Sequence, residues 1–120
     1  MRLSAAEYEI MQVIWQKEGP ATSRELQELS RRKGWKAPTL ASFLKRLCEK
    51  GALTTEKQGK TRLYRPALGR EAYLNGQARA LIQEWYGGRV SELVAGLAGQ
   101  GGLTEEDRRA LRRLLNEEWK

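Results

Sequence analysis

Residues 39–46 contain the side chains of this sequence that are best suited to molecular recognition. Thr39, Ser42, Lys45 and Arg46 recur three or four residues apart, a spacing that places them on one face of a helix. Hydroxyl, ammonium and guanidinium groups on such a face are the donors that contact base edges and phosphates in a DNA major groove. The alternative is a surface helix with ordinary solvated charges, and residues 39–46 alone do not decide between the two.

The residue types that most catalytic and metal sites require are scarce in this chain. It has no His and a single cysteine, Cys48, which excludes the usual zinc site, a nucleophile–His pair and an internal disulfide. The paired carboxylates Glu105 and Glu106 fall in the first turn of a predicted helix, where the helix dipole accounts for them. We therefore expect neither an enzyme nor a cofactor or metal site.

Hydropathy and cysteine usage bear on the cellular location. No apolar run approaches the roughly 20 residues that span a membrane, and no secretory signal precedes Leu3. A single cysteine also suits a reducing compartment. We expect a cytoplasmic protein with no membrane partner.

Positive charge is concentrated in the first 70 residues. Residues 1–70 carry fifteen Lys and Arg against seven Asp and Glu, a net charge of +8, whereas residues 71–120 carry seven against eight, a net charge of −1. A basic half joined to a neutral half indicates that one part meets a polyanion and the other part serves another purpose. A basic surface can also serve solubility alone.

The polar face described above needs a helix to hold it, and the stretch Pro38–Lys50 predicts one. Its Leu40, Phe43, Leu44 and Leu47 lie at positions i, i+3, i+4 and i+7. This spacing forms one apolar stripe that must face a core. The hydroxyl-bearing and cationic residues then point away from that core.

Two helices are predicted before this one. Capping boxes at Ser4–Glu7 and Thr22–Glu25 start them, and the first is expected to stop at Gly19–Pro20. The second ends in a cationic turn. Its Arg32, and Lys36 just after it, are expected to contact phosphates beside the helix of Pro38–Lys50, which we call the groove helix because it is predicted to enter the DNA major groove. The alternative is that the cations of this turn only complement the helix dipole.

A two-stranded antiparallel hairpin is predicted from LTTEK and KTRLYRP, which flank Gln58–Gly59. Its tip and flanks carry Lys57, Lys60 and Arg62, and such cations can simply block edge-to-edge aggregation. Three helices followed by a basic hairpin, however, are the winged-helix variant of helix-turn-helix. We therefore predict that residues 1–69 form a winged-helix DNA-binding domain whose hairpin, the wing, lies on the DNA backbone or in the minor groove.

Residues 70–120 predict three amphipathic helices separated by two glycine-rich breaks, so the whole chain is expected to be mainly α with a small β-hairpin. Such helices bury little surface on their own. We predict a helical dimerisation domain in which a second copy of the chain covers them; the alternative is that they fold back on residues 1–69. The predicted interface residues are Leu74, Ala78, Leu81, Ile82, Trp85, Leu93, Leu97, Leu111, Leu114 and Leu115, and the last stripe extends to Trp119.

Segments along nearly the full length carry a family resemblance. In chain order they are LSAAEYEIMQVIW, GPATSREL, GW followed by TLASFLKRL, LTTEKQGKTRLYRP, REAYL, GG before VSELVAGL, and LTEEDRRALRRLL. Their order and spacing resemble the penicillinase and methicillin-resistance repressors of bacteria and the related copper-responsive repressors. The resemblance implies a winged-helix domain, a C-terminal helical dimerisation domain and a repressor of a palindromic operator. Carried onto this sequence, the groove contacts are Thr39, Ser42, Lys45 and Arg46, and the wing contacts are Lys57, Lys60, Thr61 and Arg62.

The sequence departs from the family pattern in several places. Leu40 follows Thr39 where the family usually has a second Thr, and Pro38 replaces a longer side chain, so the operator sequence can differ. In the antibiotic-resistance members a sensor protease cuts an Asn–Phe bond. The matching place here is Gly96–Leu97, so the resemblance leaves open whether a sensor protease is a partner of this chain. The C-terminal Cys cluster of the copper-responsive members is absent from the sequence, so copper sensing is not implied.

The leading hypothesis is a homodimeric transcriptional repressor that binds a palindromic DNA operator. The alternative from another class is a winged-helix module that bridges proteins through its hydrophobic helices and binds DNA weakly or not at all. The salt dependence of binding affinity separates the two hypotheses. Affinity falls steeply with salt concentration when cations neutralise DNA phosphates, whereas the affinity of a protein–protein interface usually does not.

Overall fold

The structure is a computed structural model and describes residues 1–118. Trp119, at the end of the last predicted stripe, lies outside the described residues. The fold is mainly helical with a small antiparallel sheet, which confirms the predicted fold class. The elements in chain order are α1 (Ala5–Trp15), β1 (Ala21–Thr22), α2 (Ser23–Lys33), α3 (Ala37–Glu49), β2 (Leu53–Gln58), β3 (Thr61–Pro66), α4 (Arg70–Tyr86), α5 (Val90–Gly99), α6 (Glu105–Arg113) and a π-helical segment (Leu114–Glu118).

Helix α1 begins where the sequence predicts and ends earlier. The backbone N–H of Ser4 donates to Glu7 Oε1 at 2.8 Å, and the Glu7 N–H donates to Ser4 Oγ at 3.2 Å, so the capping box is complete. The predicted stop at Gly19–Pro20 is wrong, because α1 ends at Trp15. Lys17 instead belongs to a turn, where its ammonium forms an ion pair with Glu25 of α2.

The sheet has three strands, one more than the predicted hairpin. Strand β1 pairs with β3 through Ala21 opposite Tyr64 and Thr22 opposite Leu63, and the strand order is β1–β3–β2. Strand β1 has only two residues, which is too short for an alternating apolar–polar pattern to be visible in the sequence. The wing is therefore joined through its central strand to the residues that start α2.

The chain divides into two compact units, residues 1–77 and the residues from Ala78 onward, and the division falls inside α4. Aliphatic side chains of the first three helices form the core of the first unit, and burying each contributes about 1.5–3 kcal/mol. The groove-helix stripe packs as predicted, with Phe43 only half-buried. The buried members are Ile10, Met11 and Ile14 of α1, Leu26 and Leu29 of α2, and Leu40, Leu44 and Leu47 of α3.

Little is buried in the second unit. Within the described residues, neither α5 nor α6 has a buried side chain. The stripe predicted along α4 is divided, because Leu74 packs against the core of the first unit whereas Leu81 and Trp85 are exposed. None of the described helices is long and apolar enough to cross a membrane.

Candidate nucleic-acid interface

The outer face of α3 is polar and open. Lys36 caps the helix N-terminus with extended backbone, and Pro38 occupies the first turn, where no N–H is needed. Ser42, Lys45 and Arg46 are exposed, and Thr39 is partly exposed on the same helix. Since the opposite face is buried in the core, the direction of these side chains is fixed by packing. All four predicted groove residues therefore lie on the accessible side of one rigid helix.

An aromatic pair supports the first two turns of α3. The Trp35 and Phe43 rings meet edge to face with centroids 5.1 Å apart. The Arg46 guanidinium carbon lies 5.7 Å from the Phe43 ring centroid, within the range of a cation–π contact. Ser30 Oγ also donates to the Trp35 carbonyl at 3.0 Å. The contact between Phe43 and Arg46 does not follow from the sequence pattern, which assigns Phe43 only to the apolar stripe.

The wing presents two of its cations on one face. Lys57 lies opposite Arg62 and Thr55 lies opposite Tyr64 in the β2–β3 register, so these four side chains share a sheet face. A two-residue turn joins the strands, and its Gly59 has φ +63°, a conformation that glycine adopts at little cost. Short turn geometry thus holds the register that aligns the cations.

The wing and α3 together line a surface pocket of about 290 Å³. Lys45 and Cys48 contribute from α3, and Thr55 and Arg62 contribute from the wing. Arg62 Nη1 donates to Thr55 Oγ1 at 3.2 Å, which holds the guanidinium over the strand. Burial raises the pKa of the Cys48 thiol, an effect that the Arg62 charge partly offsets. The thiol is therefore neutral at physiological pH, and the pocket offers positive charge without a thiolate nucleophile.

A second pocket of about 290 Å³ adjoins the same wing face and reaches the start of α2. Lys57, Lys60, Thr61 and Arg62 line it together with Ser23, the first residue of α2. A helix N-terminus and ammonium groups both attract phosphate. Sequence reasoning missed Ser23, although its place directly after the capping Thr22 is a usable signal. We refer to Lys45, Lys57, Lys60 and Arg62 as the basic cradle.

Other nearby cations have carboxylate partners. Lys33 Nζ lies 2.7 Å from Glu9 Oε2, Arg31 pairs with Glu28, and Arg65 pairs with Glu56. These pairs tie helices and strands together or neutralise exposed charge. The predicted phosphate contacts at Arg32 and Lys36 are exposed, at the end of α2 and the start of α3, and neither lines the two pockets of the basic cradle.

The family model described as penicillinase repressor matches residues 3–117. The chain belongs to the penicillinase repressor family. It is 29% identical over 116 residues to the penicillinase repressor of Bacillus licheniformis, an alignment that covers 97% of this chain and 91% of that protein. It is 25% identical over 114 residues to the methicillin resistance regulatory protein MecI of Staphylococcus aureus strain N315, covering 95% and 93%.

A solved structure of the family matches the first part of the chain. The solution structure of the DNA-binding domain of the repressor BlaI is 36% identical, with a TM-score of 0.54, covering 60% of this chain and 88% of that one. Together with the match over residues 3–117, this confirms the resemblance and the winged-helix fold. This member of the penicillinase repressor family is a DNA-binding transcriptional repressor and not an enzyme.

The second unit of this chain carries an apolar groove of about 530 Å³. Residues of α5 form one wall, and leucines of α6 and of the π-helical segment form the other. The lining residues are Val90, Ser91, Val94, Ala95, Leu111, Leu114 and Leu115. Three of these are predicted interface residues, whereas Val90, Val94 and Ala95 belong to the same surface and are missing from the predicted set.

The remaining predicted interface residues also lie in the second unit. Ala78 and Leu97 are exposed, and Ile82 and Leu93 are partly buried. Gly96–Leu97, which the sequence resemblance aligns with a protease-cleaved bond, lies within α5. It is therefore helical backbone rather than an extended segment.

Proposed function

We propose that the chain is a homodimeric repressor that binds a palindromic operator, with α3 in the major groove and the wing along the flanking backbone. One observation carries this proposal. Helix α3, the wing and the start of α2 contribute polar groups to a common basic surface whose cations have no carboxylate partner among the described residues, and packing fixes the outward face of α3. A polyanion with a groove wide enough for a helix, such as B-form DNA, matches that surface.

Each part of the surface has a separate role in this proposal. Thr39, Ser42, Lys45 and Arg46 contact base edges, and the Phe43 ring limits the orientations of the Arg46 guanidinium. The wing residues bind phosphates and fix the register along the duplex without selecting its sequence. The proposed phosphate contacts are Lys57, Lys60, Thr61 and Arg62, joined by Arg32 and Lys36 on the helix-turn-helix.

A second copy of the chain is proposed to cover two apolar surfaces, the exposed α4 residues and the apolar groove. Trp85 is 73% exposed, Leu115 61% and Leu81 47%. Single exposed apolar residues are common on protein surfaces, but several large ones in one small unit are typical of an interaction surface. The matched family extends over this unit as well as over the winged helix. Most oligomers are symmetric dimers, and a symmetric dimer presents two groove helices to a palindrome.

The decisive experiment is a binding competition with Arg46→Ala. Fragments of the source genome that the wild-type protein retains supply the operator, and a scrambled duplex competes at fixed salt. We expect Arg46→Ala to lower the preference for the operator by about tenfold to a hundredfold, the effect of losing one bidentate arginine–guanine contact of roughly 1–3 kcal/mol.

The matched control is Arg65→Ala, which removes an arginine that already pairs with Glu56 on the wing. It should leave the preference nearly unchanged. An Arg46→Ala protein with wild-type preference would limit Arg46 to phosphate contact. A wild-type protein with no preference for any genomic site would contradict the repressor proposal and favour the protein-bridging module.

A further inference from the structure

Residues 1–4, which we call the N-terminal strap, make polar contacts with two elements that are distant in sequence. The ammonium of Lys50, the C-cap of the groove helix α3, donates to the Arg2 carbonyl at 3.0 Å. The backbone N–H of Leu3 donates to the hydroxyl oxygen of Tyr73 in α4 at 3.2 Å, and this bond is buried. The strap therefore links the end of α3 to the beginning of α4.

The contact with α3 is reinforced by a buried carboxylate. Lys50 Nζ lies 2.7 Å from Glu7 Oε1, and the same oxygen accepts the N–H of Ser4. Glu7 is 1% exposed. A charge-assisted bond in such a shielded place is stronger than a neutral surface contact, so the end of α3 is held firmly against the strap and the start of α1.

The contact with α4 has two attachment points one helical turn apart. The Tyr73 ring packs against the rings of both Tyr8 and Trp15, each with its centroid 6.0 Å away, and the three rings form a triangle. Gln77 Nε2 donates to the Met1 carbonyl at 2.8 Å. Aromatic packing positions the Tyr73 ring, and the two hydrogen bonds join the first turns of α4 to the strap at two separate points.

We propose that the N-terminal strap is a positioning element that fixes the direction of α3 relative to α4, and thereby the half-site spacing that the repressor accepts. The inference rests on the proposed function, because half-site spacing has meaning only when two copies read one palindrome. Helix α4 continues from Tyr73 and Gln77 to Leu81 and Trp85, the proposed dimer residues. In a dimer joined through the later part of that helix, the angle between α3 and the first turns of α4 contributes to the separation of the two groove helices.

The test uses the full chain and three kinds of duplex at fixed salt. These are a single half-site, the genomic palindrome, and palindromes with one base pair inserted or removed at the centre. Tyr73→Phe removes the acceptor of the Leu3 bond and keeps the ring, and Gln77→Ala removes the second attachment. Tyr86→Phe makes the same chemical change as Tyr73→Phe near the other end of α4 and is the matched control.

We expect Tyr73→Phe to retain half-site affinity within about twofold. Its preference for the genomic spacing over the altered spacings should fall by about two- to tenfold, the range for loss of one neutral hydrogen bond. Gln77→Ala should shift the preference in the same direction and Tyr86→Phe should not shift it. Thermal unfolding checks that each variant is folded at the assay temperature.

Two results would overturn the inference. One is a wild-type spacing preference in both Tyr73→Phe and Gln77→Ala. The other is an equal loss of affinity on every duplex, the half-site included, which a purely structural role would produce. Failure of the proposed function gives a different result, which the wild-type protein alone reveals. That protein would then bind the palindrome no better than the half-site.

Discussion

Lys60 and Arg65 are both wing cations, and the structure gives them different environments. Lys60 lies in the tight turn and lines the pocket shared with the start of α2, whereas Arg65 pairs with Glu56. An ammonium that faces open solvent releases counterions from DNA when it meets a phosphate, and a neutralised guanidinium contributes little. Position within the wing, rather than charge alone, thus decides which cation is a phosphate contact in our proposal.

Lys60→Ala should weaken binding to all DNA sequences alike. The slope of log affinity against log salt should fall by about one unit, as expected when one phosphate contact is lost. Titrations of operator and scrambled duplex at several salt concentrations measure both quantities, with Arg65→Ala as the control that keeps the slope. Unequal losses across sequences would mean that Lys60 reads bases, for instance in the minor groove.

Glu7 should make stability depend on pH. Burial alone would raise its pKa, but hydrogen bonds from Lys50 and Ser4 outweigh burial and hold the pKa below the ordinary value of 4.5. The unfolded chain therefore binds this proton at a higher pH than the folded chain does. The stabilising contribution is present above the ordinary pKa and is lost as pH falls through the lowered pKa of the folded state.

Glu7→Gln tests this directly. At pH 7 the variant should be less stable than the wild type by about 1–3 kcal/mol, because a buried charge-assisted contact is lost. The difference should shrink steadily below pH 4.5. Denaturant unfolding at a series of pH values measures it, and exposed Glu18→Gln is the control. A difference that stays constant down to pH 3 would show that the carboxylate charge is not responsible.

At the scale of elements, the wing depends on its two-residue turn. Gly59 has φ +63°, and a Cβ there would meet no atom within 4 Å, so the cost of a side chain would be backbone strain alone. Gly59→Ala should destabilise the hairpin by about 1–2 kcal/mol. It should also weaken non-specific DNA binding, because strand register aligns Lys57 with Arg62.

Gly69→Ala is the matched control for the turn. Gly69 likewise has open space at its Cβ position but does not have a positive φ. Its substitution should be neutral or slightly stabilising, since alanine reduces the freedom of the unfolded chain. Thermal unfolding compares the two variants. Equal effects of the two substitutions would refute the role assigned to the turn.

Sequence patterns predicted most of the elements and failed where the signal was short or non-local. Capping boxes and the 3.6-residue stripe of α3 are local, so the starts of α1 and α2 and the buried face of α3 followed from them. Strand β1 is only Ala21–Thr22, and its partner lies about forty residues away in β3. Helix α1 ends at Trp15, before the Gly19–Pro20 signal, and the following Lys17 pairs with Glu25 of α2, a contact that no periodicity records.

The part of the candidate site that depends on local sequence patterns was predictable, and the part that depends on tertiary packing was not. The exposed face of α3 follows from its buried stripe, and the wing cations follow from the hairpin pattern. The approach of Ser23 to the wing and of the Arg46 guanidinium to the Phe43 ring arises from tertiary packing. Neither contact leaves a local pattern in the sequence.

At the scale of the whole molecule, the uneven charge of the sequence corresponds to two surfaces of different chemistry. The first unit carries the basic cradle, and the second carries the apolar groove and exposed α4 residues. A single winged helix offers one groove helix, and affinity for a palindrome rises steeply when two are linked. The proposed dimer therefore accounts for both surfaces with one function.

The apolar stripe of α4 gives the most direct test of that dimer. Leu81 is 47% exposed in the single chain, and the proposal places it against a second copy. Leu81→Glu would put an unpaired carboxylate into an apolar interface at a cost of several kcal/mol. Ala80→Glu adds the same charge at an exposed neighbour that points away from the stripe, and it controls for charge alone.

Sedimentation equilibrium across protein concentration should show a dimer for the wild type and Ala80→Glu, and a monomer for Leu81→Glu. Because the first unit has its own core, the monomer should still bind a single half-site with nearly wild-type affinity. Its affinity for the full palindrome should fall toward that of the half-site, since the gain from linking two sites is lost. A Leu81→Glu protein that sediments as a dimer would exclude the α4 stripe as the interface and leave the apolar groove as the surface to test next.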